Sequence, residues 1–110
     1  MKMVREELLR LRASAESEAE TLARDLKALF TASRDSNADD EHDPEGATVG
    51  FERAQLIALL TATRARIAEV DDALLRVDAA TYGICERCQQ PIGEERLAVR
   101  PFARHCISCA

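Results

Sequence analysis

The feature that most constrains this chain is its cysteine spacing. Cys85-Glu86-Arg87-Cys88 is followed, after seventeen intervening residues, by Cys106-Ile107-Ser108-Cys109, and the sequence holds no other cysteine. Two Cys-x-x-Cys knuckles at this separation match a closed tetrahedral site in which four thiolates hold one zinc ion. Each knuckle bends the backbone so that both of its sulfurs face the same ion. The candidate ligands are Cys85, Cys88, Cys106 and Cys109. With all four positions filled there is no open position for a reactive water, so the expected role of Zn2+ is structural. A redox dithiol would need only one such pair and a surrounding sheet pattern that this sequence does not offer. His105, beside Cys106, is a competing donor, but four cysteines already saturate the ion.

The rest of the composition suits a protein that needs a metal staple. The chain has 110 residues, enough for one small domain. Aromatics make up 4% and tryptophan is absent, so aliphatic side chains and alanine must build the core. Thin cores of this kind are commonly stapled by a metal. No run approaches the ~18 apolar residues of a membrane span; the longest aliphatic stretch is Leu56-Ile57-Ala58-Leu59-Leu60. The N-terminus turns charged at Arg5-Glu6-Glu7, unlike a signal peptide. Without an export signal the cysteines belong in a reducing compartment, and a cytoplasmic location is expected.

Periodicity predicts two long helices. Val4, Leu8, Leu11, Ala15, Ala19, Leu22, Leu26 and Leu29 recur at steps of three and four across residues 3–34, with one 4-4 step around Ala15 and Ala19. Leu56, Leu60, Thr63, Ile67, Val70, Leu74 and Val77 keep a stricter heptad rhythm across 48–80, and Gly83 and the Cys85 cluster mark the end of that run. Each helix would span roughly 45–50 Å at ~1.5 Å per residue. Pro44, Gly46 and the neighbouring Asp and Asn residues place a turn at 35–47. The expected fold is mainly α: a long antiparallel helical hairpin (coiled coil) over 1–80, then a small C-terminal four-cysteine, C4-type zinc finger over 81–110. A dimeric coiled coil would use the same pattern.

Charge is concentrated in one place. The net charge is -5, and residues 35–47 alone hold Asp35, Asp39, Asp40, Glu41, Asp43 and Glu45 with no Lys or Arg. In the expected hairpin this cluster lies at the tip, opposite the cysteines. A solvated acidic loop is the bland alternative. A calcium loop starting at Asp35 fails, because its sixth position is Asp40 instead of Gly and its twelfth is Gly46 instead of Glu. Asp40, His42 and Asp43 would hold Mg2+ only loosely. A hairpin tip also lacks the concave, water-excluding pocket that catalysis needs, so no enzyme is expected. The cysteine spacing also occurs in GATA-type DNA-binding fingers, which require a dense basic surface. Here Arg87, Arg96, Arg100 and Arg104 are offset by Glu86, Glu94 and Glu95, and sequence-specific DNA binding is not expected.

The finger reads Tyr82-Gly83-x-Cys85-x-x-Cys88, then Ile92-Gly93-x-x-Arg96-Leu97, Pro101 and Cys106-x-x-Cys109. With an acidic helical hairpin in front of it, the chain resembles the DksA/TraR family of bacterial RNA polymerase regulators. The resemblance implies that the coiled coil enters the secondary channel of RNA polymerase and brings its tip residues Asp40, Asp43 and Glu45 near the active centre. The family's tip pattern is Asp-x-x-Asp-x-Ala. Asp40-x-x-Asp43 supplies the acids but puts Glu45 where Ala belongs, while a shifted register offers His42, Glu45 and Ala47. Some members bind the alarmone ppGpp through basic residues late in the second helix and just past the last cysteine. Glu69 and Ala110 stand in those regions here, and no ppGpp site is expected. The rival expectation is a zinc-stapled coiled-coil adaptor or dimerisation module.

Overall fold

The computed structural model describes residues 2–35 and 44–110, with side chains for 2–32 and 48–110. Its elements are α1 (Lys2–Asp35), α2 (Pro44–Asp78) and the short α3 (Glu94–Val99). The first two pack as a helical hairpin. α2 starts at Pro44, earlier than the turn residues suggested, so Gly46 and Ala47 are helical. Proline suits a first helical position, where its missing N–H would have had no partner and its fixed φ is already helical. Among the described residues no helix is long and apolar enough to cross a membrane.

Every residue of both predicted stripes is buried or half-buried. The two helices differ on their far sides. α1 is amphipathic and turns Glu6, Glu7, Glu16 and Glu20 to solvent. α2 mixes the two classes on its exposed side, where Phe51, Ile57, Leu59 and Leu75 stand among Glu52, Arg64, Arg66 and Glu69. Its strict heptad seam marks the buried face correctly, while the exposed side carries both charged and apolar residues.

The chain divides into two compact units, Met1–Ala13 with Ile67–Ala110, and Ser14–Arg66. In the first, Leu8, Val70, Ala73, Val77 and Tyr82 form the core, and Val4, Leu11, Leu74, Leu97 and Phe102 pack against it. Fully burying a side chain such as Leu8 or Val70 contributes about 1.5–3 kcal/mol. Arg5 pairs with Asp78, and Arg12 grips Asp71 through Nε (2.5 Å) and a second nitrogen (3.3 Å). As the α1 index rises from 5 to 12, its α2 partner falls from 78 to 71, the mark of antiparallel helices.

The described residues of the second unit are all helical. Ala15, Leu60 and Thr63 are buried, and the Thr63 hydroxyl donates to the Leu59 carbonyl (2.8 Å), which satisfies it inside the seam. Arg66 pairs with Glu18 (3.2 Å), and the Arg53 guanidinium lies 5.1 Å over the Phe30 ring. Here too the partner index falls as the α1 index rises. The 4-4 step in α1 is filled by small residues, with Ala15 buried and Ala19 half-buried.

Candidate metal centre

The cysteine region begins where α2 is stopped. Ala80 adopts a left-handed φ of 59°, and the N–H groups of Thr81 and Tyr82 both donate to the Arg76 carbonyl (2.8 and 3.1 Å). Gly83 marks the stop in the sequence, but alanine performs it. Gly83 has its own task. Its φ is +80°, and a Cβ there would meet Leu97 Cδ1 at 3.3 Å, so glycine allows both the turn and the close packing of α3.

Ile84 and Pro91 then form an antiparallel bridge that closes the first knuckle. The Cys85 N–H donates to Gln90, the Gln89 N–H donates back to Cys85 (2.8 Å each), and Gln89 takes a left-handed φ of 62°. The second knuckle is closed by the N–H groups of Cys109 (3.0 Å) and Ala110 (2.9 Å), both donating to the Cys106 carbonyl.

These turns gather the sulfurs of Cys85, Cys88, Cys106 and Cys109 within 4.8 Å of one another. Cys88 and Cys106 Sγ are 3.7 Å apart. A tetrahedron of thiolates ~2.3 Å from zinc has edges of ~3.8 Å, so the sulfurs stand about where the ion requires them. The cluster is consistent with one structural zinc ion. His105 is outside it and uses its backbone carbonyl to accept a bond from Arg96 instead.

The electrostatics fit a dication. The Cys88 backbone N–H, aided by those of Cys106 and Arg87, works against burial to lower the Cys85 thiol from its ordinary 9.0 to about 5. Cys106 is also lowered, first by hydrogen bonding to Cys109. Cys109 is pushed up to about 12, chiefly by the Cys106 and Cys88 sulfurs. Half the cluster ionises readily and so makes ionisation costly for its neighbours. A bound Zn2+ removes that conflict and favours four thiolates. Zinc bound here would tie the two knuckles together and, with four protein donors, leave no position for substrate.

No regular structure holds the segment entering the second knuckle, yet its carbonyls are all occupied. Pro101 accepts from the Tyr82 hydroxyl (2.9 Å), and Phe102 and Ala103 accept from the two terminal nitrogens of Arg76 (3.4 and 3.5 Å). Arg104 accepts from the Glu86 N–H (2.9 Å), and His105 from Arg96 Nε (3.0 Å). The Arg104 side chain also bridges Glu86 (3.0 Å) and Asp72 of α2. Sequence reasoning missed Arg76, and it marked Tyr82 and Arg96 as part of the finger signature without reading their bonds to the Pro101 and His105 carbonyls. The available signal was slight: one tyrosine, and arginines flanking a segment without a strand pattern. Conversely, Val99 is one of the finger's few apolar residues and yet is 80% exposed.

The acidic candidates stand differently. Asp40 and Asp43 lie outside the described residues. Glu45 is in the first turn of α2, and only its backbone is described.

Comparison with known proteins brings both parts of the chain together. Residues 80–110 match the prokaryotic dksA/traR C4-type zinc finger. An uncharacterized protein of Aquifex aeolicus (strain VF5) is 48% identical over 46 residues, 42% of this chain and 32% of that protein. The RNA polymerase-binding transcription factor DksA of Caulobacter vibrioides (strain NA1000 / CB15N) is 43% identical over 54 residues, 47% of this chain and 38% of that protein. The chain thus spans well under half the length of these relatives. The structure of transcription factor DksA2 from Pseudomonas aeruginosa superposes with a TM-score of 0.83 at 28% identity, covering 98% of this chain and 78% of that one.

Proposed function

Because residues 80–110 match the dksA/traR C4-type zinc finger and the whole chain resembles DksA2, we propose that it is a DksA/TraR-type transcription regulator that binds RNA polymerase and is not an enzyme. The observation that carries this reading is the likeness to DksA2, which takes in the hairpin as well as the finger over 98% of the chain. The Caulobacter relative's name supplies the partner. In this reading residues 81–110 act as the zinc finger, and the hairpin enters the polymerase secondary channel with its acidic connection near the active centre. Six carboxylates in 35–47, uncompensated by any Lys or Arg, would be favoured where a channel focuses a positive field. The protein would work in the cytoplasm, without sequence-specific DNA contacts and without a ppGpp site of its own.

A second reading, an adaptor or dimerisation module, is favoured by one observation: the exposed Phe51, Ile57 and Leu59 on α2. Co-sedimentation with purified polymerase separates the two. A complex with polymerase is expected, and a stable homodimer indifferent to polymerase would favour the adaptor. Within the complex, Asp40→Asn with Asp43→Asn removes two charges at nearly constant size. Polymerase binding should persist while the effect on in vitro transcription falls sharply. Regulation equal to wild type would leave these aspartates as solvation only.

A further inference from the structure

We propose that Arg76 is a positioning residue for the metal centre, through which zinc binding and the packing of the helix ends become one cooperative event. Arg76 lies in α2, remote in sequence from the second knuckle, yet its two terminal nitrogens reach the Phe102 and Ala103 carbonyls. Its backbone carbonyl also accepts both N–H groups of the turn that leads to Cys85. One residue therefore fixes the approach to each knuckle. Its Nε is buried without a hydrogen-bond partner, a sign that the side chain is held by its terminal contacts.

The neighbouring bonds show why the position matters. Carbonyls 101 to 106 all accept hydrogen bonds, and the donors come from separate places: α2, the turn after it, the first knuckle, α3 and the second knuckle itself. A segment that makes no strand gains a defined register from these donors. That register delivers Cys106 and Cys109 to Cys85 and Cys88. Phe102 and Leu97 pack on the cluster containing Leu8 and Val70, so the same segment also ties the finger to both helices. Residues 67–110 and 1–13 belong to one compact unit. Zinc should therefore order the helix ends as well as the finger. Groups that support metal ligands from outside typically change affinity ~10–100-fold when removed.

The test compares Arg76→Met, which keeps the aliphatic stem, with Val70→Ala, which weakens the same core without touching the carbonyls. Zinc affinity is read by chelator competition on the full chain, and site geometry by the ligand-field bands of the Co2+-substituted protein. Arg76→Met should lose ~10–100-fold in zinc affinity and shift the Co2+ bands. Val70→Ala should leave the bands unchanged. Unchanged affinity and bands in Arg76→Met, or equal band shifts in both variants, would overturn the proposal. Should Arg76→Met fail to fold with zinc, hydrogen exchange on wild type decides. Chelation should deprotect 2–13 and 67–78 as well as 82–110, and deprotection confined to 82–110 would refute the coupling.

Discussion

The two compact units are built from the same helices but stabilised by different means. Among the described residues of Ser14–Arg66 the contacts run along a seam that includes Ala15, Leu60 and Thr63, with the Arg66–Glu18 ion pair and Arg53 over Phe30 beside it. In the unit formed by 1–13 and 67–110 they are heterogeneous. A buried cluster, side chains reaching backbone carbonyls and a four-cysteine site converge on few residues. The lesson is that a hairpin can spread its stability thinly along one stretch and concentrate it in another. Loss of one contact should then be tolerated in the first stretch and felt throughout the second.

The harshest way to break this contrast is to remove the metal. Cys88→Ser should lose zinc, whose apparent binding energy in small fingers is on the order of 10–16 kcal/mol. Elemental analysis should find no stoichiometric zinc. Circular dichroism should lose the helical signal of 2–13 and 67–78 but keep that of 14–66. Acid should act in the same direction. In the metal-free site Cys85, lowered from 9.0 to about 5 by hydrogen bonds, favours the fold fully above its ordinary value and loses that contribution as pH falls through about 5. Protons also compete with zinc for the same thiolates. A mutant that retained one zinc per chain would show that the ligand set is wrong.

A milder comparison uses the cores. Leu8→Ala, at a position only 1% exposed, should cost about 2–5 kcal/mol in urea unfolding. Leu26→Ala, at a half-buried seam position, should cost less. Equal losses would mean that stability is shared evenly after all.

The smallest effects belong to the ion pairs. Arg66→Ala removes the pair to Glu18 and Asp71→Asn weakens that to Arg12, each for ~0–1 kcal/mol because the partners are largely exposed. They differ in one observable. The hydrogen bond from Arg12 holds the Asp71 carboxyl below its ordinary 3.8. Its contribution is therefore present above 3.8 and lost as pH falls through the lower folded value. Urea midpoints followed below pH 4 should show this acid loss in wild type and a reduced one in Asp71→Asn. Identical profiles would remove Asp71 from the account.

Residue spacing alone was enough to read the metal centre's membership and both helical seams. A two-residue gap sets how a knuckle bends, and a 3.6-residue turn sets which side chains share a face. Leu8, Thr63 and Val70 could be assigned to the seam without coordinates. The remainder depended on which segments meet in the folded chain. That Ala80 reverses the chain, that Val99 faces solvent, and that Arg76 reaches Phe102 and Ala103 are all of this kind. The backbone carbonyls at 101–105 carry no sequence signature, because every residue presents the same C=O. Their partners exist only once the chain has folded back on α2.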